Sequence, residues 1–399
     1  MARSAVVVFC MPERGHLQRL LPLIEGLSAA GRTVHVLTDA RYRAEVTLAG
    51  GRFHDVYAEH PIEAADATSI PVPSRYVTYA ACYAEALTER VAGLEPGLIV
   101  YDTFAVIAPL IARRLGIPYI NVCAGHAVVP SRAVAALRVD PRVATSAACA
   151  AAVERLREVH GMLDASPFSY VAALSPFLNV YGEPPQFLDP EDRRHFEPLA
   201  FFGSLSAREP APGPRSPGSF GARPRIYVSF GTVIWRYFEA AALAALTTLS
   251  EALAERDVAV TISLGGHRLG EVDRARLSHP NVRVEGYVDQ WRILKETDVF
   301  ITHHGLNSTH ESIFHEVPMV SYPFFGDQPA LSLRCQALGL AVPLAAAPRA
   351  AFDRGAVLGA IDALIAGRPL YSSRLAEARA WELATIAARP AVIDRILAL

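Results

Sequence analysis

Residues 302–328, THHGLNSTHESIFHEVPMVSYPFFGDQ, gather four histidines, an Asn-Ser pair and a terminal Asp-Gln around an apolar run. VFITHH (299–304) reads as a strand ending at His303–His304, after which Gly305 permits a tight turn and NSTHESIF opens a helix. A helix N-terminus presents unpaired N–H groups and a partial positive charge, so it attracts anions. Asn307, Ser308 and Thr309 would add side-chain donors, and a phosphate or diphosphate suits such a place. The competing use of the same residues is structural. STHE fits a capping box, with Ser308 as cap and Glu311 reaching back to its amide. Asp327, before Gln328-Pro329, can likewise cap the next helix, because proline is tolerated in a first turn. His310 and His315 stand in an HExxxH spacing, not the HExxH that places two imidazoles on one helical face, so no metal site is expected.

These residues need a scaffold that ends strands beside helix starts. Short apolar, β-branched runs recur along the chain: AVVVF (5–9), TVHVLT (33–38), LIVYD (98–102), PYINV (118–122) and FLNVYG (177–182). A second series follows: RIYVSFG (225–231), VAVTISLG (258–265), VRVEGYV (282–288), VFITHH and PMVSYP (318–323). Near-continuous apolar strands, each followed by a helix-length segment, indicate parallel sheets covered on both faces. The expected fold class is therefore α/β, two doubly wound domains in tandem. Residues 1–205 would form the first domain and 225–399 the second, joined by a Pro/Gly/Ser-rich linker at 206–224. Ligands of such sheets sit beyond the carboxyl ends of the strands, and the cleft between two such domains is the default site.

Composition limits the partners. At 399 residues, 51% hydrophobic and 20% charged, the chain is long enough for two globular cores. A net charge of −2 gives no basic field for nucleic acid. Five scattered cysteines, an odd number without a CxxC pair, suggest reduced thiols in a cytoplasm. No apolar run approaches the ~20 residues of a membrane span, and the apolar N-terminal run is too short for a signal peptide. A cytoplasmic location without stable membrane association is expected. Neither first-strand turn carries the GxGxxG of a dinucleotide-binding dehydrogenase.

The 302–328 stretch resembles the nucleotide-sugar signature of glycosyltransferase family 1, the UDP-glycosyltransferases of plants, bacteria and animals. That pattern runs T-H-x-G-x-N-S-x-x-E, then G-V-P, then D-Q, and nine positions match without a gap. Glu316 stands where the family usually has Gly, and Leu306 where plant members often have Trp. The resemblance implies the GT-B fold, two facing Rossmann-like domains with an interdomain cleft, in which the last helix can pack back on the N-terminal domain. It also implies donor-binding roles. His303 would contact the diphosphate beside Gly305, Asn307 and Ser308 would hold phosphate oxygens, and Glu311 would take the ribose hydroxyls. Asp327 and Gln328 would bind hydroxyls of the sugar. GYVDQW (286–291) resembles the family's W-x-P-Q turn, with Tyr287 as base-stacking platform and Gln290 beside it. YVSFGT (227–232) resembles the first strand and turn of the C-terminal domain, with Thr232 near phosphate or sugar.

RGHLQRLLPLIEGL (14–27) resembles the family's first loop and helix, which makes His16 the match to the catalytic histidine, although Arg19 takes the usual proline position. Asp102, closing the strand LIVYD, matches the carboxylate that pairs with it. A neutral imidazole can accept a hydroxyl proton, and a carboxylate orients it. Each also has a plainer use, His16 capping a helix near Leu17 and Asp102 one near Phe104. Tyr79, Phe104 and His126 are the expected acceptor-side residues. Tyr76, Tyr79 and Tyr83 share one helical face, an arrangement that also serves a core. The implied activity is inverting transfer of a hexose or deoxyhexose from a UDP- or dTDP-sugar to a small, largely apolar natural-product aglycone, with neither cofactor nor metal. The partners are then a nucleoside diphosphate sugar and that aglycone, for a monomer or homodimer. A nucleotide-sugar epimerase, a lipid or glycan transferase, and a non-catalytic nucleotide-sugar binder share the fold.

Overall fold

The computed structural model describes residues 5–123, 125–205 and 223–399. They fall into two compact units, the first within Met1–Ala207 together with Thr385–Leu399, the second within Arg208–Ala384. The expected linker falls almost wholly on residues 206–222, outside the described residues.

The first unit is built on seven parallel strands: β1 (Ala5–Phe9), β2 (Thr33–Thr38), β3 (Arg52–Asp55), β4 (Pro96–Asp102), β5 (Tyr119–Val122), β6 (Leu178–Tyr181) and β7 (Leu199–Phe201). Their spatial order is β3-β2-β1-β4-β5-β6-β7. Both faces are buried, as the unbroken apolar runs require. Within β1, Val7 and Phe9 enter one core, while Val6 and Val8 enter the other. The final helix, Arg389–Leu397, completes this unit. Ile393 and Ile396 join the core beneath the helix Arg14–Ala29. Arg389 donates to the carbonyls of Phe202 at 2.8 Å and Leu205 at 2.6 Å, ordering the end of the segment after β7.

The second unit repeats the plan with six parallel strands: β8 (Arg225–Ser229), β9 (Ala259–Ser263), β10 (Val282–Glu285), β11 (Val299–Thr302), β12 (Met319–Ser321) and β13 (Ala341–Pro343). The order is β10-β9-β8-β11-β12-β13. Ile226, Val228 and Phe230 line one core, and Tyr227 stacks on Phe300 of the neighbouring strand at 5.0 Å on the opposite face.

In each sheet the strand order reverses once, between β1 and β4 and between β8 and β11. A doubly wound sheet opens a crevice at such a reversal, because the loops on either side turn to opposite faces. His16 and Asp102 follow or end the first pair; Thr232 and His303 follow the second.

Candidate functional site

In the first unit, β1 leads through Cys10–Pro12 into the helix Arg14–Ala29, and His16 lies in its first turn. The N-cap is Glu13, so His16 is not the cap. Its Nδ1 lies 2.5 Å from Oδ2 of Asp102, which is 1% exposed at the end of β4. The other carboxylate oxygen accepts the backbone N–H of Phe104 at 3.0 Å. The turn-capping use of Asp102 and its pairing with His16 therefore coexist, one oxygen for each. The following helix begins at Ile107. Burial raises the Asp102 pKa, but the His16 charge and hydrogen bond, Arg19 and the Phe104 amide outweigh it, leaving the carboxyl below its ordinary value. With Nδ1 taken by the carboxylate, Nε2 is the ring nitrogen left to accept a proton. The Phe104 ring, half-buried, stands 4.9 Å from the imidazole.

Two other expected acceptor residues are placed differently. Tyr79 is 2% exposed in the core and its ring neighbours are Tyr57, Tyr76 and Tyr83. Its packing is that of a core residue. His126 is 4% exposed, with Nδ1 2.9 Å from Oε2 of the fully buried Glu183, so it too is spent internally. Glu183 was not singled out from sequence, although an acid two residues beyond a strand's carboxyl end was the available signal.

In the second unit, β11 ends at Thr302 and the helix runs Leu306–Phe314 with Gly305 as N-cap. The capping-box expectation is thereby corrected. Ser308 lies inside the helix, and its hydroxyl is 3.1 Å from Nε2 of Gln290. That amide also donates to Oε2 of Glu311 at 2.7 Å. Asn307, Ser308 and Glu311 share the half-exposed helix face, while Thr309 and His310 face inward. Thr309 hydrogen-bonds Nδ1 of His304, whose Nε2 meets the Ser321 hydroxyl at 2.7 Å. His304, held at φ +60°, thus pins the turn. His310 pairs with buried Glu382, and His315 packs edge-on to Trp291 at 4.5 Å.

His303 is the histidine at the switch point. It is 7% exposed, and its Nδ1 is buried with no hydrogen-bond partner. Two glycines make room for the ring. A Cβ at Gly305 would lie 2.5 Å from Nε2, and one at Gly231, whose φ is +74°, would lie 2.7 Å away. Thr232, next to Gly231, is exposed, as is Tyr287 at 54%. Asp327 occupies the N-cap of the helix Gln328–Ala337 without a side-chain capping bond. The Gln328 side-chain oxygen accepts the amides of Phe324 at 2.9 Å and Phe325 at 3.2 Å, which orients its Nε2 away from them.

Burial lowers the His303 pKa to about 4, against a small rise from the Ser229 backbone. The folded state thus holds this ring neutral, whereas the unfolded chain protonates it near its ordinary 6.5. Its contribution to stability is complete above pH 6.5 and is lost as the pH falls towards 4. All three tryptophans, Trp235, Trp291 and Trp381, lie in the second unit, so their fluorescence reports its unfolding. Between pH 7.5 and 4.5, wild type should lose roughly 2 kcal/mol more stability than His303→Asn in denaturant titrations. Equal losses would show that the ring is not buried neutral.

The two switched parallel sheets are those of the GT-B glycosyltransferases. The glycotransferase of kitacinnamycin superposes with a TM-score of 0.72 at 24% identity, covering 99% of this chain and 100% of that one. VinC, in complex with dTDP, gives 0.67 at 17% identity, covering 98% of each chain. A family model described as UDP-glucoronosyl and UDP-glucosyl transferase matches residues 191–373. A relative in Bacillus subtilis (strain 168), the uncharacterized UDP-glucosyltransferase YdhE, is 22% identical over 346 residues, 84% of each chain. The chain is thus similar to the UDP-glycosyltransferases in its second half, and its fold is that of the GT-B glycosyltransferases. No described helix is long and apolar enough to cross a membrane.

Proposed function

We propose that this protein is an inverting glycosyltransferase that moves a hexose or deoxyhexose from a UDP- or dTDP-sugar to a hydroxyl of a small, largely apolar natural-product aglycone. The observation that carries this reading is the 2.5 Å pairing of a part-exposed imidazole with a buried carboxylate at the first switch point. His16 Nε2 takes the acceptor hydroxyl proton as the oxygen forms its bond to the anomeric carbon. The bond from that carbon to the nucleotide oxygen breaks in the same displacement, so the configuration inverts and the nucleoside diphosphate leaves. Asp102 stabilises the resulting imidazolium.

The second unit supplies the leaving-group site. Amides at the N-terminus of the Leu306–Phe314 helix, the Asn307 and Ser308 side chains and the neutral His303 ring donate to phosphate oxygens. Charge stabilisation of this kind takes the place of a metal ion in the reading. Glu311, steadied by Gln290, faces ribose hydroxyls; Tyr287 offers a ring to the base; Asp327 and the Gln328 amide meet the sugar, with Thr232 beside it. The dTDP complex of VinC supports a thymidine donor, and the UDP-glucosyltransferase relatives support a uridine one.

The test is a transfer assay with UDP-glucose and dTDP-glucose against a panel of phenolic and polyketide alcohols, in chelator, read by mass and by anomeric coupling constants. A β-glucoside from the α-linked donor, with nucleoside diphosphate released in equal amount, is expected. A retained α-linkage, or transfer abolished by chelator, would refute the mechanism.

A further inference from the structure

The helix that carries His16 departs from its family's pattern at position 19, where arginine replaces proline. A guanidinium is costly to bury without partners, yet Arg19 is only 6% exposed. Its Nε–H donates to the Gly15 carbonyl at 3.2 Å and its Nη1–H to the Cys123 carbonyl at 3.2 Å. Gly15 immediately precedes His16. Cys123 directly follows β5, its N–H donating to the Val180 carbonyl at 2.9 Å. One planar fork therefore clamps the first turn of the histidine helix to the segment that runs on through His126 to the helix Pro130–Val139. Lysine, a point donor, could not span both carbonyls in this way.

The surrounding charges show why a cation is tolerated there. Asp102 lies within its influence and is held ionised partly by it. Cys10 beyond β1, Tyr57, Tyr76 of the helix Arg75–Ala92, and Cys123 are the other titratable groups around the carboxylate. Burial raises all four, Cys123 to about 12, so they carry no charge near neutral pH. Glu13 acts on Tyr76, and Glu183, paired with His126, acts on Cys123. Arg19 is the fixed positive charge that favours ionised Asp102.

We propose that Arg19 is a positioning residue for the reaction: its guanidinium locks the His16 turn to the segment after β5 and sets a fixed positive charge beside the His16–Asp102 pair. This rests on the proposed role of His16 as base. Arg19→Gln keeps donors but removes the charge; Arg19→Lys keeps the charge but breaks the fork. With nucleotide-induced thermal shifts unchanged, Arg19→Gln should lower kcat about tenfold and move the acid limb of kcat/KM to higher pH by roughly half a unit or more. Arg19→Lys should restore the limb while raising acceptor KM. A wild-type pH profile and kcat in Arg19→Gln overturn the inference. Should Arg19→Gln not fold, wild-type acceptor KM and kcat in Arg19→Lys overturn it equally. His16→Ala separates the two claims: if that variant turns over normally, the base assignment itself has failed, whatever Arg19 does.

Discussion

Alanine in place of His16, or asparagine in place of Asp102, lowers turnover by ~10²-fold or more while nucleotide affinity stays near wild type. The two changes remove different things. Without the imidazole, the acceptor hydroxyl must lose its proton to water while the sugar bond forms. Asp102→Asn keeps an oxygen for the Phe104 amide, so the turn after β4 survives. It places an amide where a carboxylate met Nδ1, and the counter-charge for the imidazolium is gone. Both residues belong to the first unit and the nucleotide groups to the second, so kcat and nucleotide Kd should separate cleanly. Wild-type kcat in either variant would reject the base assignment.

A single methyl at Gly305 should cost as much on the donor side. Gly305 sits at φ −63° and ψ 140°, a conformation alanine adopts without strain, so the change is purely steric. Its Cβ would press within 2.5 Å of the His303 ring, which must leave the helix N-terminus. Nucleotide affinity should fall by about 10- to 100-fold, or ~1.4 to 2.8 kcal/mol. Gly231→Ala meets the same ring and also forces a φ of +74° on a residue with a Cβ, so it should destabilise the second unit by ~1 kcal/mol more than Gly305→Ala does. Calorimetric titration with UDP or dTDP and denaturant unfolding check the pair. Undiminished affinity in Gly305→Ala would place the phosphate elsewhere.

Ten strands were legible because each is a run rich in β-branched or other apolar residues, most of them buried on both faces. The three that were not are β3, β7 and β13, all at sheet edges. RFHD is polar at three of its four positions because an edge strand faces water, and β7 and β13 have three residues each, too short for a pattern. In the site, motif spacing located His16, Asp102 and the 302–328 residues, yet it could not assign partners. Ser308 read as a cap because its neighbour Glu311 is local, whereas the group it meets, Gln290, is distant in sequence and arrives only through folding. His303 and His304 are alike in sequence and opposite in use, one crowded by glycines, one bonded to Thr309 and Ser321. Glu183 escaped notice, and Arg19 was seen only as a departure from the proline pattern, for the same reason: their partners, His126 and Cys123, lie across the sheet's carboxyl edge. The tyrosine stripe at 76, 79 and 83 has helical periodicity whether it lines a core or a pocket; packing against Tyr57 made it core.

The most direct measurement is tryptophan-detected unfolding of the wild-type protein with and without UDP, UDP-glucose and dTDP-glucose. A nucleotide that fills the His303–Glu311 site at 100 times its Kd stabilises the second unit by ~2.7 kcal/mol. Such a rise with at least one of these ligands, cut to about 0.4–1.4 kcal/mol in Gly305→Ala at the same ligand concentration, is the predicted result. No stabilisation by any of them at millimolar concentration would contradict the account.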